Sequence, residues 1–452
     1  MTSPLWHPCT QMQTHEEMPP IAVVRGQGAY LYQADGTPLL DAISSWWVNL
    51  HGHSHPVINA AIVEQLGMLE QVMLAGFTHP PIEALARRLV ALTPPQLTRC
   101  FFADSGSAAV EVALKMSLQY WHQSGQPQRK TFVSLQNGYH GETLGSLAVT
   151  DIPLFSSQYQ PLLIQHFRAP SPDLTLKDAG ESDEDYLARQ FTGLRNIIEL
   201  HAGTICAVIV EPLVQGAAGM KMYPPSYLTQ LRALCNTHHI HLILDEIAVG
   251  FGRTGTMFAH EQAAISPDFL CLSKGLTAGY LPMSCVLTTD EVYQAFYSPD
   301  VAQGFLHSHS FTGNPLAARA ALASLDLFEQ QHILQQNQTL IAAMHTALGK
   351  LQSHPHIAQI RQTGMIGAFT VVQANGQPYG ESLSRMIAHY AMTQGILLRP
   401  IGNHVYLIPP YCVSVDEIDR IIDVARQAVE WAVSRPVQPH TPHQFTGNLS
   451  LP

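Results

Sequence analysis

The sequence predicts an α/β protein: a large domain with a mostly parallel sheet flanked by helices, plus a smaller α+β domain. Three observations carry this. Short apolar runs recur through the middle of the chain without the alternation of a half-exposed strand. Amphipathic segments separate them, as crossover helices do. Each run ends abruptly in polar residues, and in open α/β sheets ligands sit beyond the carboxyl ends of the strands.

In chain order, RCFFADSGS (99–107) leads into the helical pattern AAVEVALKMSLQYW, and TFVSLQNGYHG (131–141) follows. AVIVEPLVQG (207–216) precedes the amphipathic YLTQLRALCN, and HLILDEIAVG (241–250), FLCLSKG and SCVLTTD (284–290) close the series. After about residue 313 the pattern changes. GNPLAARAALASLDLFEQ and ILQQNQTLIAAMHTALGKL read as helices, and IGAFTVV, GILLRP and HVYLIPPY as strands. VDEIDRIIDVARQAVEWAV is a helix with Ile418, Ile421, Ile422, Ala425 and Val429 on one face. The expected organisation is an N-terminal segment, 1–60, packing with the small domain; a large domain, 61–325; a small domain, 326–435; and a Pro-rich mobile tail, 436–452.

Composition narrows the function classes. The chain has 452 residues, 46% hydrophobic and only 13% charged, which suits a large buried core. A net charge of −11 argues against a nucleic-acid binder. Seven cysteines without a C-x-x-C pair, three of them (Cys206, Cys271, Cys285) inside apolar runs, read as reduced thiols of a cytoplasmic protein. The N-terminus lacks the pattern of a signal peptide, and no apolar run approaches the ~18 residues of a membrane helix.

The polar exits carry the chemistry. Lys274 is one of six lysines and follows the apolar FLCLS. A desolvated lysine has a depressed pKa, so its neutral amine can attack a carbonyl, that of pyridoxal phosphate included. A surface lysine that snorkels is the plain alternative. Asp245 follows LIL, and a buried carboxylate needs a partner. A protonated pyridine nitrogen ~4 Å away would supply about 4 kcal/mol at an effective dielectric near 20. A structural carboxylate capping a loop is the alternative. In SGSAAVEVALK, Gly106 and Ser107 open a helix whose free N–H groups favour an anion; simple N-capping would use the same residues.

Two further motifs point elsewhere. GFGRTG (250–255) matches a dinucleotide fingerprint and raises an NAD-dependent oxidoreductase as the different-class alternative. No long amphipathic helix follows it, and acidic residues precede it. His51, His53 and His55 alternate, as do His307 and His309, but no acid or cysteine set accompanies them, so no metal site is expected.

Taken together, DSGSAAVEVALK, NGYHGETLG, LDEIAVGFGRTG, LSKGLTAG and HSHSFTGNP resemble, in order, the class III aminotransferases of the fold-type-I pyridoxal-phosphate family. The resemblance implies pyridoxal 5'-phosphate held covalently by Lys274, with Asp245 on the pyridine nitrogen, Gly106 and Ser107 on the phosphate, and Tyr139 stacked on the ring. It also implies an obligatory homodimer with shared active sites, in which His309 and Ser310 reach the neighbouring subunit's cofactor. WHPCTQM, DAISSWWVNLHGHSHP and ILLRPIGNHVYLIPPY further resemble the biotin-synthesis branch, whose members move an amino group from S-adenosylmethionine to 8-amino-7-oxononanoate. That branch implies Trp46 packing on substrate and Arg399 clamping its carboxylate, a match for arginine's planar fork. Trp46 and Trp47 could wall a long aliphatic chain, and Trp47 could equally be core. The family pattern has Tyr where this chain has Cys9, Asp where it has Glu142, and Gly-Pro-Thr where it has Ser308, His309 and Ser310. These positions, and a Glu142–Arg253 contact, are expected at the substrate end. The alternative within the family is a donor such as lysine, another ω-amino acid or a diamine.

Overall fold

A computed structural model describes residues 4–16, 18–373, 376–379 and 382–435. The expected tail, 436–452, lies outside the described residues.

The chain opens with an antiparallel meander of β1 (Val23–Gln27), β2 (Tyr30–Gln33) and β3 (Pro38–Asp41). Helices α1 (Pro56–Leu66) and α2 (Pro80–Leu92) follow. Next come β4 (Leu97–Ala103), α3 (Gly106–Gln123), β5 (Thr131–Leu135), β6 (Phe167–Ala169), α4 (Asp183–His201) and β7 (Ile205–Val210). A short hairpin, β8 (Val214–Gln215) and β9 (Lys221–Met222), leads to α5 (Pro225–Thr237), β10 (His241–Asp245), β11 (Phe269–Leu272) and β12 (Ser284–Thr289).

Seven strands form the central sheet in the order β4-β12-β11-β10-β7-β5-β6. The five from β11 to β6 are parallel, and β12 runs antiparallel to both its neighbours. All residues of β7, β10 and β11 are buried. That is why these runs lack alternation: helices cover both faces, so neither set of side chains meets water. Val110, Val112 and Met116 of α3 pack on one face with Ile209, Ile243 and Cys271, and a second apolar cluster covers the other.

Helix α6 (Pro315–Gln330) packs on α1 and α2 and is continuous across residue 325. Beyond it lie α7 (Ile333–Gly349), β13 (Ile357–Thr363), β14 (Ile366–Val371), α8 (Ser382–Thr393), β15 (Ile396–Leu397), β16 (His404–Leu407) and α9 (Val415–Val433). Strands β13, β14 and β16 form an antiparallel sheet, and α9 packs against α7 and α8. Two expected strands differ. HVYLIPPY ends its strand at Leu407, because Pro409 and Pro410 have no N–H to donate to a ladder. GILLRP contributes only Ile396–Leu397, which pairs in parallel with β3 and joins the N-terminal sheet.

Candidate active site

The site forms where β5, β7, β10 and β11 end, beyond their carboxyl edges. A cavity of about 460 Å³ opens there, lined by Lys274, Asp245, Tyr139, Gly106, Ser107 and Glu142 among the sequence-selected residues. Trp47, His140, Glu211 and Thr143 also line it.

Lys274 follows β11 in a tight turn at φ 39, an uncommon angle for a residue with a Cβ. Its Nζ lies 4.3 Å from the centroid of the Trp47 ring. Burial pulls the amine down to about 8, against the opposing pull of Asp245 and Glu211. Asp245 ends β10 and is buried; Oδ2 is 2.8 Å from His140 Nδ1, and Oδ1 accepts from the Ile247 N–H at 3.1 Å. Glu211, after β7, accepts from the N–H groups of Tyr139 (2.8 Å) and Gly216 (3.0 Å), and burial pushes its carboxyl up to about 7. The Tyr139 hydroxyl donates to Glu142 Oε1 at 2.8 Å, and burial, then this bond, raises its pKa.

The start of α3 is built for close approach. A Cβ on Gly106 would lie 2.9 Å from Ile247 Cγ2. Ser105 caps the helix, its Oγ accepting from the Ala108 N–H at 3.2 Å. Ser107 Oγ accepts from the N–H groups of Glu142 (3.1 Å) and Thr143 (3.0 Å), tying the loop after Tyr139 to the helix end.

Arg399 lies over Trp46, its Cζ 4.6 Å from the ring centroid, and its Nη2 donates to the Cys9 carbonyl at 3.4 Å; these three residues are outside the cavity lining. Trp46 is 42% exposed. Cys9 is also exposed; partial burial and Glu142 raise its thiol pKa, and Arg399 opposes them. The two tryptophans diverge: Trp46 is exposed, while Trp47 is buried beneath the lysine.

Arg253 is bound to backbone carbonyls. Its side chain is buried, with Nη1 donating to the Pro409 carbonyl at 2.7 Å and Nη2 to those of Asn49 (2.8 Å) and Trp47 (3.4 Å). Glu142 is not among its hydrogen-bond partners, and Arg253 does not line the cavity. It fastens the Trp47 turn to the chain after β16. GFGRTG is likewise structural: it forms turns rather than opening a long helix, and the Arg253 carbonyl accepts from the Met365 N–H at 2.8 Å. Ser308 and Ser310 are exposed outside the cavity lining. His309 Nδ1 lies 3.2 Å from Asp104 Oδ2, and the Ser310 carbonyl accepts from Gln71 at 2.9 Å. His51 and His53 have separate partners, Ser324 and Asp41.

Sequence reasoning passed over His140 and Glu211 as site residues. Their signal was present: each stands at one of the polar strand exits, beside a residue that was selected or as the exit itself.

The class-III aminotransferase family model matches residues 11–429. The chain belongs to that family. The adenosylmethionine-8-amino-7-oxononanoate aminotransferase of Helicobacter pylori is 43% identical over 92% of this chain and 94% of its own. The crystal structure of the same-named protein of Methanocaldococcus jannaschii matches with a TM-score of 0.89, 36% identity, and coverage of 95% and 97%. An amine transaminase from an uncultivated Pseudomonas species, in its PLP-bound form, matches with a TM-score of 0.90, 32% identity, and coverage of 96% and 99%.

The cofactor of this aminotransferase is pyridoxal 5'-phosphate. The residues present fit it. The cavity offers an amine, a buried carboxylate, an aromatic ring and a helix start whose first glycine leaves no room for a side chain.

Proposed function

We propose that the chain transfers an amino group from S-adenosylmethionine to 8-amino-7-oxononanoate, giving 7,8-diaminononanoate for biotin synthesis, in two half-reactions at one site. The observation that carries this is the Arg399–Trp46 pair, joined to Cys9, whose thiol feels the charge of Glu142 in the cavity lining. A guanidinium fork beside an exposed indole suits an acceptor with a carboxylate at one end of an aliphatic chain. The names of the relatives support the same reading.

When bound, pyridoxal phosphate supplies the electron sink that stabilises a carbanion and holds the amino group between half-reactions. Lys274 Nζ, desolvated and neutral above about pH 8, takes the proton from the amino-bearing carbon of the donor and returns one in the reverse sense to the acceptor. Asp245 would hold the ring nitrogen's proton, Tyr139 would cover the ring, and the α3 N-terminus with Ser107 would hold the phosphate. Arg399 orients the acceptor's carboxylate. Cys9 and Glu142 border the donor end, where Glu142 favours a cationic substrate.

Glu142 also keeps a second reading in view, a lysine, ω-amino acid or diamine donor. Mixing the loaded enzyme with S-adenosylmethionine, lysine, ornithine or putrescine separates the two. S-Adenosylmethionine should bleach the cofactor absorbance above 400 nm. A response to another amine alone reassigns the donor.

A homodimer with shared sites is part of the proposal. Val63, Leu66, Met68, Met73, Phe77, Leu306 and Phe311 are exposed apolar side chains, and Gln71 and Asn314 join the two segments that carry them. Such a patch marks an interface. His309 and Ser310 lie in this region, and in the proposed dimer they would serve a neighbour's phosphate. No helix among the described residues is long and apolar enough to cross a membrane, and the seven cysteines are free, which supports the cytoplasm as the location.

A further inference from the structure

We propose that Glu111, which is outside the cavity lining, is a positioning residue for the cofactor's phosphate, acting through Ser107; the inference rests on the reading that Ser107 and the start of α3 take that phosphate. Glu111 follows Ser107 by four residues on α3, so the two share a face of the helix. Its Oε1 accepts from Thr143 Oγ1 at 2.7 Å and from the N–H groups of Gly145 (2.7 Å) and Ser146 (3.3 Å). It thereby caps, from another element, the short helix Leu144–Val149, whose own N-cap residue, Thr143, makes no side-chain cap. A Cβ on Gly145 would lie 2.2 Å from Glu111 Oε2, so any side chain at 145 would push the carboxylate away.

Three hydroxyls meet beside this carboxylate. Ser107 Oγ lies 2.5 Å from Ser146 Oγ and 2.8 Å from Thr143 Oγ1, and the latter two lie 2.8 Å apart. Counting donors and acceptors places their hydrogens. A carboxylate only accepts, so the Thr143 hydrogen goes to Glu111. The Ser146 hydroxyl donates to the Thr143 carbonyl at 3.1 Å. Both lone pairs of Ser107 Oγ are taken by the N–H groups of Glu142 and Thr143, so its own hydrogen is donated onward, to Ser146 Oγ. Of the three hydrogens, this one alone rests on another hydroxyl rather than on a carboxylate or a carbonyl. It is the one free to turn to a phosphate oxygen, a charged and stronger acceptor. Glu111 sets that polarity by holding the Thr143 hydrogen, and it ties down the loop whose N–H groups fix Ser107. Without it, Thr143 competes for the Ser107 and Ser146 oxygens and the loop loses its anchor.

Apoprotein titrated in parallel with pyridoxal 5'-phosphate and with pyridoxal, which has the same aldehyde and ring but no phosphate, tests this. Glu111→Ala should weaken the phosphorylated compound about 10-fold, the loss expected for one hydrogen bond to a charged group, and leave pyridoxal within about twofold of wild type. Glu111→Gln, whose amide oxygen still accepts from Thr143 and the helix start, should stay within about threefold for both. A folded Glu111→Ala that binds both compounds as the wild type does, or that loses both equally, overturns the proposal; equal loss is what a merely structural role would give. If that variant does not fold, Thr143→Val removes the hydroxyl that Glu111 holds and takes its place: a loss confined to the phosphorylated compound supports the proposal, and no loss or an equal loss overturns it. Ser107→Ala separates the two layers. If it leaves the preference for the phosphorylated compound unchanged, the phosphate reading fails; if it lowers that preference and Glu111→Ala does not, only the role of Glu111 fails.

Discussion

Lys274 combines burial, a left-handed backbone angle and contact with an indole, and each has a consequence. Lys274→Ala should abolish turnover while leaving the thermal transition of the apoprotein near that of the wild type; a variant that still turns over would exclude the lysine as proton carrier. Its lowered pKa also sets a pH window. The unfolded chain keeps a proton that the folded amine has lost between about 8 and the ordinary 10.5, so the cost of burying this group shrinks as pH rises through that window. The rate at which apoprotein binds pyridoxal phosphate covalently should therefore rise with pH around a midpoint near 8, read by stopped-flow absorbance. A midpoint above 10 would mean that the amine is hydrated. Arg399→Ala should raise KM for the oxo acid about 10- to 100-fold with a smaller change in kcat; an unchanged KM would remove it from the substrate path. Lys274, Asp245 and Tyr139 were legible because each sits where an apolar run stops. The buried Arg253 was not: its sequence neighbours do not reveal that its partners are carbonyls of residues near 48 and 409.

The Ser44–Trp47 element is a turn of left-handed sense. All four residues have positive φ (51, 45, 74 and 72°), a conformation costing roughly 1 kcal/mol or more per residue with a Cβ. Tertiary bonds hold it. Asp41, fully buried, accepts from Ser45 Oγ at 2.7 Å and lies 2.9 Å from His53 Nε2; Ser44 Oγ donates to the Ile408 carbonyl at 2.6 Å. The turn separates the two indoles, one exposed and one buried against the lysine. Asp41→Ala should lower stability by about 1–3 kcal/mol, because it removes the acceptor of the buried Ile43 N–H and of two partly buried side chains, and should disturb the site as well; chemical denaturation and a cofactor titration read the two effects. A loss of less than about 0.5 kcal/mol, the range of ordinary surface changes, would mean that the turn holds without it. Propensity gave no warning of such a turn, since nothing in SSWW favours positive φ. The long amphipathic helices were legible because one face of each is buried: α9 hides the Ile418, Ile421, Ile422, Ala425 and Val429 stripe and starts at a capping box of Ser414 and Glu417.

At the scale of the whole molecule, the exposed apolar surface along Val63–Phe77 and Leu306–Phe311 calls for a partner. Sedimentation should give about twice the chain mass of 49.6 kDa. Leu66→Glu combined with Phe311→Glu should yield monomers that lose activity; an active monomer would mean that each site is complete within one chain. The central sheet was readable from local runs because its strands are buried on both faces. The pairing of β3 with β15 was not, because Leu40 meets Ile396 and a two-residue strand carries no pattern. That pairing sets a timetable for biosynthesis. The first meander leaves the ribosome with an open edge, and its mate follows roughly 350 residues later, some 20–70 s at typical elongation rates. Throughout that interval the nascent chain presents an unpaired strand to its surroundings, so binding by holding chaperones should concentrate on this leading segment and end as the last strands emerge.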